Sequence, residues 1–491
     1  MKVITIGGGL GGLAAACLLA SDGHEVSLLE KNSTFGGKIG EVTAQGYRFD
    51  TGPSLLTMPF VLQTLFEKCG ARLSDYLTLE KVDPICNYFY PNGTKFNCHH
   101  KSCVNIAQIQ QFAPDDVKAY KKFIAYSETL YQRTKEAFLF NPLYNLSDLG
   151  SVQWSNLFRI DAFKTVAERV DQYFESKELR QFFKRFTTYN GSSPYQAPAT
   201  MNVIPHVEIT MGGYYIKGGI YRLVEALMQL AEERGVVLRS DCSVEGIQTK
   251  NKRVQGVMDA HQRFHPADII VSNADAYETY MNMAPRDDLS FYKKKQMEET
   301  EPSCSGFVLM LGLDTTYPQL SHHNIFFSDD YKSEFQQIFE HHKMPEDPTI
   351  YVANTSHTDV AHAPEGGSNL FVLVNAPYLK SDSSWQTTQD RYQRFLIKKL
   401  ETRGLTDLSD HIQYSEVRTP LDFQQKYRSN KGSIYGTSSN SKLSAFLRPR
   451  NKSRSIDGLY LVGGSTHPGG GIPLVTLSAF HALDLISRHH G

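Results

Sequence analysis

The sequence predicts an α/β fold organised around a Rossmann-like unit, and three observations predict it. At the N-terminus a β-branched strand runs into a glycine cluster, a small-residue helix and a second strand that ends in an acid. Near the middle, residues 235–275 set short strand runs around a polar turn. At the C-terminus a strand, a glycine-rich loop and an apolar helix follow one another from 458 to 486.

The first strand is Lys2 to Ile6, whose Val-Ile-Thr-Ile run suits a strand buried in a parallel sheet. It enters Gly7-Gly8-Gly9-Leu10-Gly11-Gly12, which contains the spacing Gly7-x-Gly9-x-x-Gly12. Gly7 permits a tight turn, Gly9 lets backbone approach a pyrophosphate, and Gly12 lets helix and strand pack closely. Leu10 and Gly11 sit at the helix N-terminus, where free amides favour an anion. The helix runs from Leu13 to Ala20, Gly23 closes it, and His24 to Glu30 reads as the second strand. Glu30 lies 18 residues past Gly12, where an acid binds ribose hydroxyls. NAD and FAD both use such a unit.

Downstream, Lys31 to Phe35 is short and polar, and Gly36-Gly37-Lys38 follows. Gln45 to Asp50 then leads into Thr51-Gly52-Pro53-Ser54. The run from Gly7 to Ser54 resembles the flavoprotein superfamily of amine oxidases, protoporphyrinogen oxidases and carotenoid desaturases. That resemblance implies FAD as the cofactor, with Gly36, Gly37 and Lys38 wrapped round its pyrophosphate. Many members carry arginine where this chain has Lys38, and lysine offers a point charge rather than a planar fork.

Composition agrees with a large globular enzyme. The 491 residues suggest about three domains. With 51 Lys+Arg against 52 Asp+Glu, the chain lacks the basic footprint that nucleic acid requires. A 41% hydrophobic, 21% charged composition excludes a disordered chain. The 28 Phe and 26 Tyr suit a core or an apolar pocket. Seven scattered cysteines do not form a disulfide framework. Cys98-His-His-Lys-Ser-Cys103 lacks a second ligand pair downstream, so it reads as a thiol-containing loop, and no metal is expected. Met1-Lys2 runs straight into a strand without a secretory signal, and no apolar run reaches about 18 residues. Cytoplasmic placement is expected, with peripheral membrane contact.

From Pro114 to Phe186 the pattern is largely helical. Leu157, Phe158, Ile160, Ala162, Phe163, Val166, Val170 and Phe174 fall at helical spacing, below Trp154. Periodicity alone favours a core helix there; a membrane-facing surface is the other reading. Met211 to Ile220 holds two glycine pairs before a helix from Tyr221, and it resembles the superfamily's return to the FAD domain. Members often have proline there, where this chain has Ile216-Lys217. The strands Gly235–Arg239 and Ser243–Ile247, the turn at 250–253, Val254–Val257 and Ala267–Asp275 resemble the domain's second part. The resemblance implies that the Val244 backbone holds the adenine and that Asn273 lies at the cofactor. From 281 to 419 the strands Gly306–Gly312, Asp347–Val352 and Asn369–Val374 suggest a sheet floor for a substrate. His322, His323, His341, His342 and His357 read as residues of solvated loops.

Gly458–Val462 reads as a strand running into Gly463-Gly464-Ser465-Thr466-His467-Pro468-Gly469-Gly470-Gly471-Ile472-Pro473, followed by a helix from Leu474 to Ile486. Glycines let backbone lie against a flat ring, and the helix N-terminus stabilises negative charge on it. This segment resembles the C-terminal signature of bacterial-type phytoene and other carotenoid desaturases. Gly463, Gly464, Gly471, Ile472 and Pro473 are the implied cofactor contacts. Asp457, Gly470 and Leu474 depart from many members, and the His467–Leu474 run is closer to hydroxycarotenoid 3,4-desaturases.

The resemblance therefore implies an FAD-dependent carotenoid desaturase. It would remove a hydride and a proton from a C–C single bond of an acyclic or partly acyclic, 1-hydroxylated carotenoid. Phytoene or diapophytoene desaturation and carotene isomerisation are alternatives within the family. Amine or porphyrinogen oxidation and a prenyl-binding escort role are alternatives on the same scaffold. Amine oxidases commonly tether FAD through a C-terminal cysteine, whereas the last cysteine here is Cys304. No side chain is singled out as catalytic, and His467 reads as a loop-positioning residue. Oxygen or a quinone is the expected electron acceptor. Residues 1–75, 212–280 and 420–491 are expected to form the FAD domain, 76–112 and 281–419 a substrate domain, and 113–211 a helical, membrane-contacting subdomain.

Overall fold

A computed structural model describes residues 1–140, 160–380, 385–440 and 448–490. Five parallel strands form one sheet in the order Leu459–Leu461, Ile269–Ser272, Lys2–Ile6, Glu25–Leu29 and Val237–Arg239. The central strand pairs Ile4 with Ile270 on one side and with Ser27 on the other. Such a strand is covered on both faces, which explains its unbroken apolar run. One face carries the helices Leu10–Ser21, Tyr221–Glu233 and Ile472–His490. The first is buried from Leu10 to Leu19, so its alanines and glycines are what let three helices meet.

The other face carries a three-stranded meander, Val244–Lys250, Arg253–Asp259 and Phe264–Pro266. Its first turn is Asn251-Lys252, with φ of 52° and 61°. Paired left-handed residues match the twist of a two-residue hairpin.

A second, mixed sheet has seven strands, in the order Ile412–Arg418, Ser305–Leu313, Ser368–Ala376, Ile350–Ala353, His323–Phe326, Cys86–Phe89 and Lys95–Cys98. The pair His323–Phe326 with Cys86–Phe89 is parallel and the others are antiparallel. All nine residues of Ser305–Leu313 are buried. Phe307, Leu309 and Leu311 enter one apolar cluster, whereas Val308 and Met310 enter another. The period-two alternation thus feeds two cores at once.

The expected stripe from Leu157 to Phe174 is only partly a helix. Its described part turns at Asp161, where φ is 57°, and the helix begins at Val166. Thr165 accepts from Glu168 N–H while the Glu168 carboxylate accepts from Thr165 N–H, and this reciprocal pair fixes the start. Ile160, Val166, Val170 and Phe174 are buried, and the latter three lie in the aromatic core around Phe123 and Phe183. These four are core residues, whereas Phe163 of the same stripe is exposed. Trp154, Leu157 and Phe158 lie outside the described residues. No helix among the described residues is long and apolar enough to cross a membrane.

Candidate functional site

A cavity of about 480 Å³ opens at the C-terminal ends of the parallel strands. Open α/β sheets bind ligands at that edge. Every residue expected to hold the cofactor lines it, apart from Gly12. Gly12 instead packs helix on strand, since a Cβ there would lie 2.1 Å from the Gly7 carbonyl oxygen. Gly7 takes the turn with φ 89°. At Gly9 a Cβ would fall 2.6 Å from Asn273 Nδ2. No side chain caps the helix that begins at Leu10. Its first amides therefore stand ready for phosphate oxygens.

Glu30 is buried at the end of the second strand. One carboxylate oxygen accepts from Gly8 N–H at 2.7 Å. The other accepts from Asn32 N–H and Asn32 Nδ2 at 2.8 and 2.7 Å. The acid thus ties the glycine loop to the strand that follows. Beside it, Lys31 Nζ donates to the Gln425 carbonyl.

The second glycine pair crosses the first. Gly36 N–H donates to the Gly8 carbonyl at 2.7 Å, and a Cβ on Gly37 would lie 3.1 Å from Gly9 Cα. Lys38 Nζ donates to the Ser433 and Ile434 carbonyls, each at 3.0 Å. Burial lowers this lysine to about 8, with Asp275 acting in the opposite direction. Gly52 fits under the same loop, where a Cβ would meet the Lys38 carbonyl oxygen at 2.1 Å. Pro53 and Ser54 continue the cavity wall.

Val244 is buried where the meander begins, and Arg428 Nη1 donates to its carbonyl at 3.5 Å. Asn273 follows the strand Ile269–Ser272, and its Nδ2 donates to the Gly7 carbonyl at 3.4 Å. Its Oδ1 faces Gly463, where a Cβ would lie 2.6 Å away. Asn273 thus wedges the N-terminal and C-terminal glycine loops together. Gly464 lies beside Gly470. Gly471, with φ 99°, has no protein atom within 4 Å of where its Cβ would be. Ile472 and Pro473 then begin the last helix. Backbone, an acid and two helix starts converge on open space, which fits an FAD molecule.

The wall facing the second sheet holds polar groups that sequence reasoning missed. His322 and His323 are buried, not solvated. His323 Nδ1 lies 2.8 Å from the Tyr351 hydroxyl, which also pairs with Ser54 Oγ. Burial and the Arg185 charge lower His323 to about 3, so it is neutral. Arg185 Nη2 donates to Glu208 at 2.5 Å and to the Tyr88 hydroxyl at 2.5 Å, and the Tyr189 hydroxyl donates to Glu208. Nothing local marks these residues, because six separate segments supply them.

The Cys98–Cys103 stretch does not gather ligands. Cys98 is buried in a strand, Cys103 is exposed on a helix, and His99 and His100 approach Asp83. One close group of metal-ligand types, Cys242, Asp259 and His265, occurs among the described residues. Asp259 there already accepts from His261 N–H, Arg263 N–H, Arg263 Nε and His265 Nε2, which closes a hairpin.

A second cavity of about 820 Å³ adjoins the first. Met58, Leu139, Met201, Ile204, Val207 and Leu474 give it apolar walls. Thr57, Tyr189, Gly470, Gly471 and Pro473 line both cavities. His467 lines it too, with its ring centroid 5.6 Å from that of His481.

Comparison with known proteins places the chain beside flavin-dependent relatives. The family described as flavin containing amine oxidoreductase matches residues 10–486. The 4,4'-diaponeurosporene oxygenase of Staphylococcus haemolyticus (strain JCSC1435) is 37% identical over 99% of this chain and 97% of its own. The 4,4'-diapolycopene oxygenase of Methylomonas sp is 38% identical over 99% and 98%. Among solved structures, an oxidoreductase from Methanosarcina mazei superposes with a TM-score of 0.70 at 15% identity, covering 99% of this chain and 100% of its own. A Rab GDI from Plasmodium falciparum superposes at 0.56 with 12% identity, covering 98% and 97%. Likeness at such low identity is one of fold alone.

Proposed function

Because the chain belongs to the flavin containing amine oxidoreductase family and is an FAD-dependent enzyme, we propose that it oxidises the end of an acyclic carotenoid. The observation that carries this reading is the junction of the two cavities. An apolar space of about 820 Å³ meets the glycine cradle at Gly470, Gly471 and Pro473. A hydrocarbon chain in that space would bring one terminus against the cofactor. The names of the relatives favour oxygenation over desaturation. When bound, FAD would accept the two electrons that leave the carbon, and the oxygen atom gained would come from water or dioxygen. The protein supplies position and dryness. Gly7, Gly9, Gly11 and Glu30 would hold the nucleotide half, and Gly463, Gly464, Gly471, Ile472 and Pro473 the ring.

In this reading residues 1–75, 212–280 and 420–491 carry FAD, and 76–112 with 281–419 carry the sheet under the substrate. An apolar substrate also argues for peripheral membrane contact from the cytoplasmic side, with oxygen or a quinone as the final electron acceptor. A second reading, 3,4-desaturation of a hydroxylated carotenoid end, draws support from the His467–Leu474 run. The escort reading shares the fold but not the sequence relatives, which are named as oxygenases.

The test is to incubate the FAD-loaded protein with 4,4'-diaponeurosporene and with 1-hydroxylated acyclic carotenoids, then weigh the products by mass spectrometry. Oxygen gained at a terminus is the expected result. Loss of two hydrogens without oxygen would replace it with the desaturase reading, and no conversion of either substrate would sink both.

A further inference from the structure

The floor of the smaller cavity is one face of the seven-stranded sheet. Val308, His323, Ile325, Tyr351, Phe371 and Leu373 line it there. The strand register sets Ile325, Tyr351, Leu373 and Val308 in one row and His323 and Phe371 in the next. Four of the six are apolar, and the polar two act together. His323 Nδ1 lies 2.8 Å from the Tyr351 hydroxyl, which pairs with Ser54 Oγ of the loop expected at the cofactor. These contacts fix the imidazole ring through one nitrogen. His323 is 2% exposed, and its other nitrogen, Nε2, has no hydrogen-bond partner among the described residues.

Arg185 lines the same cavity and is 7% exposed. Its Nη2 is committed to Glu208 and the Tyr88 hydroxyl, whereas its Nε has no partner among the described residues. Of the buried side-chain nitrogens on described residues lining this cavity, His323 Nε2 and Arg185 Nε are the two left unpaired. The Arg185 charge is felt at His323, so the two belong to one wall.

A buried nitrogen without a partner is costly, and two on one cavity wall point to a polar ligand atom. The larger cavity meets this one at Gly470, Gly471 and Pro473, so an apolar chain lying there presents only its end to the wall. A methyl end leaves the nitrogens to water, and a hydroxyl takes the place of that water. A neutral imidazole nitrogen meets a hydroxyl as donor or as acceptor, and an arginine Nε donates to it. We propose that this wall is a subsite for a carotenoid end that already carries a hydroxyl group. His323 Nε2 is its hydrogen-bond partner, and Arg185 Nε is a second donor on the same wall. The subsite presupposes the carotenoid-end oxidation proposed above and extends it, since an end oxygenated once is held rather than released.

The test is a binding titration of the full-length, FAD-loaded protein, reduced and kept free of oxygen so that no ligand is oxidised. The probes are 4,4'-diaponeurosporene and its terminal alcohol in detergent micelles, followed by quenching of protein fluorescence. The alcohol should bind about tenfold tighter, as one or two neutral hydrogen bonds imply. His323→Phe should bring the alcohol down to the hydrocarbon's affinity and leave the hydrocarbon unchanged, while His323→Gln retains part of the preference. Should His323→Phe fail to fold, Tyr351→Phe, which unties the ring from Ser54, should cut the same preference. Equal affinity of the two probes in the parent would overturn the subsite and leave the oxidation reading standing. So would a preference that survives His323→Phe. Failure of both probes to bind would sink the oxidation reading and the subsite with it.

Discussion

The Gly8 N–H donates to the Glu30 carboxylate at 2.7 Å. The acid expected to meet a ribose also holds the loop expected to meet the phosphates. With its other oxygen committed to Asn32, Glu30→Gln must set an amide N–H against one of these donors. Flavin fluorescence titration should show FAD affinity falling about ten- to a hundredfold. Unchanged affinity would detach Glu30 from the cofactor.

Gly12 and Gly471 should separate packing from binding. A Cβ at Gly12 meets the Gly7 carbonyl oxygen, so Gly12→Ala should cost about 1–3 kcal/mol of apoprotein stability. A Cβ at Gly471 meets no protein atom and projects into the proposed ring site. Gly471→Ala adds backbone strain of about 1–3 kcal/mol and should lose FAD affinity beyond what its stability explains. Thermal unfolding and flavin retention, measured together on both variants, decide it. Equal FAD affinity of Gly471→Ala and the parent would remove the ring from that loop.

Lys38 should give the apoprotein a pH-dependent stability. Its folded value of about 8 lies below the ordinary 10.5. Between these pH values the unfolded chain binds a proton that the folded chain has released. Stability therefore rises with pH across that window, by on the order of 3 kcal/mol, and the penalty is fully present below about pH 8. Urea unfolding from pH 7.5 to 10.5 (on the order of one pH unit per step) should show the rise in the parent and its absence in Lys38→Met. Parallel curves would mean that water reaches the ammonium.

The Arg185–Glu208 pair should behave as a buried ion pair. Its partners are 7% and 1% exposed. Arg185→Met leaves the Glu208 carboxylate buried without its cation and should cost about 3–5 kcal/mol. Arg185→Met/Glu208→Met should recover most of that loss in a double-mutant cycle. Additive losses would show that the two charges are screened from one another.

The parallel sheet was legible because its signals are local. Lys2–Ile6, the glycine spacing and Glu30 lie within thirty residues. Their chemistry follows from backbone conformation alone. The terminal strand and glycine loop at 458–473 are equally self-contained. Helical spacing marks Val166, Val170 and Phe174 as core, but it does not reveal the Thr165 cap or the positive φ at Asp161, which hold the helix back to Val166. His322 and His323 misled because their burial comes from distant segments packed against them, such as Tyr215 against His322 and Tyr351 against His323, which no local pattern reveals.

By itself the sequence determined the fold class, the cofactor unit and the family, since each rests on short runs with fixed backbone geometry. Only the tertiary structure decided which residues share a cavity. Ser54, Tyr351 and His323 meet across nearly three hundred residues of chain. Lys293 and Arg448 line one cavity although the chain places them far apart. Side-chain proximity of this kind is set by how sheets and helices pack, and packing between distant segments leaves no periodicity to read.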